Sequence, residues 1–308
     1  MKIYLNLIFF SLFTSLQNFA EVNVLYGEFK LSHSDNLNTT SDLLSKVLTR
    51  HYSSRSLRKG LFGYGWCQLL DYKITTIQEE TIELSTCKET RKISSKNGHF
   101  HFDNLDFTFN SKKQIIAVSS KIELLKLSYD HLQRITHIEY QKTLLNKKTR
   151  DKKVLFEIKN HLLVSVNTLE HNDKLFLNYS YLNGKLNQVM SCNKSSPSNT
   201  CNSETLYNYD SNDNMIEWKN LTGDFEKMTY DEDLDLVTSY QQINRCTNYY
   251  DYSLLNKSKK VIQSRICPNK IKQKILYTYD SIFKTLKISI QNEPKKIIGG
   301  KDDNNSTL

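Results

Sequence analysis

Short runs of alternating hydrophobic and polar residues fill most of the chain, and each predicts a β-strand with one buried face. Val22-Asn23-Val24 and Gly27-Glu28-Phe29-Lys30-Leu31 come first. A polar loop over residues 35–41 follows, and residues 43–51 fit either a short helix or a strand. Beyond Trp66, residues 68–77, 81–87 and 90–94 are β-favouring runs about ten residues apart, the rhythm of a hairpin-built fold. Asn97-Gly98 is the clearest two-residue hairpin turn.

From there a repeat emerges. An aromatic residue is followed by Asp, Asn or Glu, then by a turn, then by a hydrophobic residue six positions after the aromatic. Phe109-Asn110 leads to Ile115 and Val118, Tyr129-Asp130 to Ile135 and Ile138, and Tyr209-Asp210 to Met215 and Trp218. Tyr230-Asp231 leads to Leu236, with Ser239 in the second slot. Looser copies are Phe156-Glu157 with Leu162, and Tyr181 with Leu186, which is one residue short. Tyr250-Asp251 and Tyr279-Asp280 keep only the dipeptide. The physical unit is a hairpin. The Asp or Asn side chain accepts from backbone amides two residues on, and a left-handed residue closes the turn. One hairpin cannot bury its apolar face, but stacked hairpins can. The tyrosines are therefore expected as a core ladder rather than a cofactor-binding box.

Ahead of the repeats, residues 52–66 set Gly60, Gly63 and Gly65 among Phe62, Tyr64 and Trp66. Alternation places the three aromatics on one side of an extended strand, capping the first hairpin's apolar face. The segment Tyr52-Ser-Ser-Arg55-Ser, with the Gly-Leu-Phe-Gly-Tyr-Gly-Trp that follows, resembles the segment preceding the repeats of Rhs/YD-repeat proteins. The repeat itself is similar to their Tyr-Asp-x-x-Gly-Arg-Leu unit. The resemblance runs from about residue 27 to 286 and implies an all-β fold: a spiralling antiparallel sheet of hairpins, as an open shell or curved sheet. The chain departs from the family's toxins in lacking an Arg-Tyr-Tyr-Asp-Pro core motif and a toxin-sized C-terminal domain. The expected layout is a signal peptide at 1–20, an N-terminal region at 21–98, hairpin repeats at 99–290 and a polar tail at 291–308.

Composition fits an exported β-protein. Tyrosine (18) and phenylalanine (14) are plentiful, and only three prolines occur among 308 residues. Lys2, the apolar run over residues 3–16 and Ala20 form a secretory signal, with no later stretch apolar enough to span a bilayer. Six cysteines in an exported chain predict disulfides, with sequence neighbours as the simplest pairing: Cys67–Cys87, Cys192–Cys201 and Cys246–Cys267. Zinc is the weaker reading of these cysteines, because no Cys-x-x-Cys spacing occurs. The formal charge of +9 gathers at residues 142–153, 257–260, 270–274 and 295–296. Such runs are usually solvated loops. Otherwise they suit an anionic envelope polymer or an acidic protein, and no nucleic-acid-binding motif accompanies them.

No catalytic residue, cofactor or metal site is nominated. His99-Phe-His101-Phe-Asp103-Asn104 matches only part of a His-x-His-x-Asp-His zinc pattern. Asp231, Asp233 and Asp235 have Leu236 and Gln242 where a calcium loop needs Gly and Glu. Asn178 and Asn220 stand in glycosylation sequons. The expected function is a non-catalytic binding or encapsulating surface at the cell envelope or outside the cell. The alternatives are a shell component serving a separately encoded toxin or effector, and a metal-dependent hydrolase using His99 and His101.

Overall fold

The computed structural model describes residues 19–35, 41–78, 81–96, 99–144, 147–148, 152–168, 175–193, 200–243, 245–255, 258–268, 272–282 and 285–292. The fold is all-β and antiparallel. Residues 1–18 of the expected leader, the Asn97-Gly98 turn and residues 293–308 lie outside the described residues, as do the lysines at 257, 270, 295 and 296. The first strand, Phe19–Asn23, begins two residues ahead of the expected leader boundary.

The chain divides into two compact units. One comprises residues up to Asn23 with Glu28–Phe225, the other Val24–Gly27 with Glu226 and the residues after it. In the first unit, Phe19–Asn23, Glu28–Ser34, Thr49–Ser53 and Trp66–Gln68 form a four-stranded sheet. Residues 43–51, open to either reading, divide between a helix, Asp42–Leu48, and the strand Thr49–Ser53. Ser41 caps the helix by accepting from the Leu44 amide at 2.9 Å, and Leu43, Leu44, Val47 and Leu48 are buried.

The rest of that unit is a meander of neighbour-to-neighbour hairpins that begins at Lys73–Gln78. The spacing of six is a cross-strand pair: Phe109 faces Ile115, Tyr129 faces Ile135 and Tyr209 faces Met215. At each the register shifts by one residue, a bulge that adds local twist. Between them lies one recurring turn. Asn110, Asp130 and Asp210 each donate their backbone amide to the carbonyl four residues ahead, and their side chains accept the amide of that residue. The third turn residue is left-handed: Lys113 (φ 64°), Gln133 (φ 63°) and Asp213 (φ 70°).

Several looser copies read differently in the structure. Tyr181 faces Leu186 across a two-residue turn at Asn183-Gly184, both with positive φ. The same geometry around Asn160-His161 pairs Ile158 with Leu163, so Ile158 holds the position expected of Phe156. Asn220, read as a sequon, is another turn residue: its side chain accepts the Asp224 amide, and Gly223 is left-handed.

The second unit is itself built of antiparallel hairpins, the last of its described strands being Thr285–Asn292. Tyr230 faces Val237 rather than Leu236, because the Asp231 turn is one residue longer. Tyr250-Asp251 lies inside the strand Thr247–Leu255 and makes no turn. Asp280 ends its strand and accepts the Ile282 amide at 2.8 Å.

Two substitutions check the turn. Asp210→Ala removes the acceptor for the Asn212 and Asn214 amides and is expected to cost about 1–2 kcal/mol. Gln133→Gly relieves a left-handed side-chain residue and should leave stability equal or raise it by up to about 1 kcal/mol. Urea denaturation measures both.

Candidate functional site

The buried face of the four-stranded sheet carries charge. Phe29, Leu31, His33 and Asp35 share one phase of their strand, and Arg50 and Tyr52 share one phase of the next. Cross-strand register sets His33 opposite Arg50 and Leu31 opposite Tyr52. Arg50 is fully buried. Its Nη2 and Nε donate to the two Asp35 carboxylate oxygens at 2.5 and 2.9 Å, and its Nη1 donates to the Tyr207 hydroxyl at 2.7 Å. The Tyr179 hydroxyl donates to Asp35 at 2.9 Å. The guanidinium lies 5.3–5.6 Å from the ring centres of Trp66, Tyr207 and Phe62. Burial works against the cation, and Asp35, then Tyr207, more than offset it. Burial also holds the Tyr179 and Tyr209 hydroxyls protonated, which keeps them as donors.

The aromatic–glycine segment runs across hairpin ends. It is three short pieces rather than one strand, because Gly63 (φ 92°) and Gly65 (φ 75°) reverse the backbone between them. The expectation of three aromatics on one face is thereby corrected. Phe62 and Trp66 are fully buried, while Tyr64 points outward, 42% exposed, with Lys59 over its ring. Gly60 is buried too, with Asp71 where a β-carbon would sit, and Arg55 is exposed. Nor does the segment cap the first hairpin. Its contacts are with those turning near residues 160, 183 and 212: the Leu163 amide donates to the Leu61 carbonyl, Gly63 pairs with Lys185, and the Met215 amide donates to the Tyr52 hydroxyl. The Trp66 indole N–H donates to the Tyr209 hydroxyl at 3.0 Å.

The repeat tyrosines staple successive hairpins. Tyr129 donates to the Ile115 carbonyl, Tyr181 to that of Leu163, Tyr209 to that of Leu186, and Tyr252 to that of Val237. Each acceptor is the hydrophobic partner of the preceding unit's turn. In the second unit Tyr252 makes this bond, not the singled-out Tyr250, which is buried and faces Gln263.

Three disulfides join Cys67–Cys87, Cys192–Cys201 and Cys246–Cys267, the sequence-neighbour pairing. Cys192–Cys201 links directly opposed strand residues, whereas Cys67–Cys87 joins a strand of the four-stranded sheet to the turn between Thr81–Ser85 and Thr90–Lys96. Among the described residues no helix is long and apolar enough to cross a membrane. His99 and His101 are exposed, and their Nδ1 atoms lie 3.3 Å from the Thr108 hydroxyl and 3.0 Å from Asp106. Among the described residues no three His, Cys, Asp or Glu groups converge as metal ligands. Asp231 accepts the Asp233 and Leu234 amides, a turn role.

Clefts open on the first unit, among them two lined by lysines of its N-terminal part. One, of about 290 Å³, has Leu61, Ile115 and Ile135 in its floor and Lys59, Lys73 and Lys113 at its rim. The other, of about 660 Å³, carries Lys46, Lys88, Arg91 and Lys92 beside Tyr72. Arg58, which lines the first, is occupied by the Thr86 carbonyl, the Ser85 hydroxyl and Cys67.

Residues 20–94 match the profile of a family described as a domain of unknown function (DUF6531). That stretch contains the four-stranded sheet, the helix and the whole aromatic–glycine segment. No curated protein matches the chain.

Removing one partner of a buried ion pair strands the other charge. Arg50→Met is therefore expected to cost about 3–5 kcal/mol, and Trp66→Ala about 3–5 kcal/mol through its cavity and the lost Tyr209 contact. Denaturant midpoints give both values. Stability also depends on pH. Burial and then Arg50 hold His33 near about 3, and burial and then Lys88 hold His51 near about 4. Both stay neutral when folded, while the unfolded chain takes up protons below about 6.5, so stability falls as pH drops from about 6.5 toward 4. Asp71, raised to about 6 by burial, acts oppositely between about 4 and 6, but its displacement is smaller. The urea midpoint should therefore drop between pH 7 and 5, and drop less in His33→Gln.

Proposed function

We propose that the protein is an exported, non-catalytic β-repeat protein of the Rhs/YD class that presents a hairpin-built binding surface at the cell envelope or outside the cell. The observation carrying this reading is how the buried polar groups are used. The polar groups of Arg50, Asp35, Tyr52, Tyr179, Tyr207 and Tyr209 are spent on bonds that join the N-terminal sheet to the hairpins and the hairpins to one another. That is the organisation of a scaffold. Export is supported by the three disulfides, which persist in oxidising compartments. The partner proposed is an anionic envelope polymer, held by the lysines that rim the smaller cleft.

Two measurements test the reading. Protein recovered from its native host should begin at Glu21, and without reduction none of its cysteines should react with a thiol reagent. Recovery in the cytosol with the leader retained and reactive thiols would contradict export. On immobilised heparin, used as a generic polyanion, Lys59→Glu/Lys73→Glu/Lys113→Glu should elute at clearly lower salt than the parent. Unchanged elution would remove this cleft as the polyanion site.

A further inference from the structure

The last described strand, Thr285–Asn292, pairs antiparallel with Lys272–Asp280 through eight consecutive residues without a bulge. Among the described residues its only register and its only extensive contact are with Lys272–Asp280. Natural sheets blunt such edges with charged side chains, bulges, prolines or inward-pointing charges. This strand has no bulge and no proline, and a single lysine. Leu286, Ile288 and Ile290 share one face and are 47%, 53% and 61% exposed. They continue an inner row whose earlier members are covered: Val261 is fully buried, Tyr277 opposite it is half-buried, and Ile288 opposite Tyr277 is exposed. The sole charge on the strand, Lys287, falls on the other face.

We propose that this strand is a homodimer edge, pairing antiparallel with the same strand of a second copy about a two-fold axis at Ile288. The register follows from the sequence. Side chains alternate faces, so only pairings that keep apolar residues opposite one another are open. A two-fold at Ile288 sets Ile288 against itself, Leu286 against Ile290 and Lys287 against Ser289. Moving the axis to Lys287 sets two ammonium groups directly opposite, which is destabilising. An axis at Ser289 leaves Leu286 without an apolar partner. The strand is thus complementary to itself in one register, and this self-complementarity singles out a second copy as occupant. The pairing would satisfy the outward backbone groups and cover the apolar row in both copies.

The test uses the full chain. At tens of micromolar it should travel at twice the monomer mass in light-scattering chromatography. Ile288→Lys, at an exposed position, should travel at monomer mass with an unchanged circular dichroism spectrum. Under mild oxidation, Ile288→Cys should form a covalent dimer, since directly opposed strand residues lie within disulfide reach. Ser289→Cys, whose own copy is diagonal, should not. A monomeric parent at that concentration overturns the proposal. So does Ser289→Cys cross-linking as readily as Ile288→Cys, or a dimer that persists in Ile288→Lys.

Discussion

The first unit depends on one buried cation. Arg50 sits in an apolar interior where an isolated charge would cost many kcal/mol. It is tolerated because a carboxylate, a hydroxyl and three aromatic faces surround it. Its partners come from distant parts of the chain. Asp35 lies at the end of one strand of the N-terminal sheet, Trp66 and Phe62 in the aromatic–glycine segment, and Tyr179 and Tyr207 in hairpins more than a hundred residues later. A pair of this kind gives little net stability relative to a well-packed apolar set, but it penalises any arrangement that leaves one member unpaired. Its effect is to fix one docking of sheet on hairpins.

A second, repeated device extends from that lock. At three of the bulges a tyrosine (Tyr129, Tyr181 or Tyr209) turns its hydroxyl back to a carbonyl of the preceding unit, so those neighbouring hairpins are joined by a polar bond. Tyr209 belongs to both devices, because its hydroxyl accepts from Trp66 and donates to Leu186. The disulfides add covalent links, as at Cys192–Cys201, which joins directly opposed residues of neighbouring strands.

Much of this was legible in the sequence. The Asp or Asn after each aromatic marks the turns because its side chain serves amides two and four residues on, and the spacing of six is a true strand pair at Tyr129 and Tyr209. Spacing failed where turn length changed. Ile158 replaces an aromatic at a two-residue turn, and Tyr250-Asp251, which keeps only the dipeptide, lies inside a strand because the dipeptide alone carries no register. The aromatic–glycine segment was located correctly, but its backbone path was not, since alternation holds only for an extended chain and Gly63 and Gly65 break it. The Arg50 lock was missed. Its signal was present: Asp35 is in phase with Phe29 and Leu31, and Arg50 with Tyr52, so both charges fall on faces that otherwise read as core.

Native-state hydrogen exchange tests the lock most directly. If the ion pair and its aromatic shell unite sheet and hairpins, the amides of Thr49–Ser53 and of residues 205–209 should open with one common free energy, equal to that of global unfolding. Amides of the N-terminal sheet that exchange through a distinctly cheaper opening, while those of residues 205–209 keep full protection, would show the sheet to be a separable appendage and contradict the account.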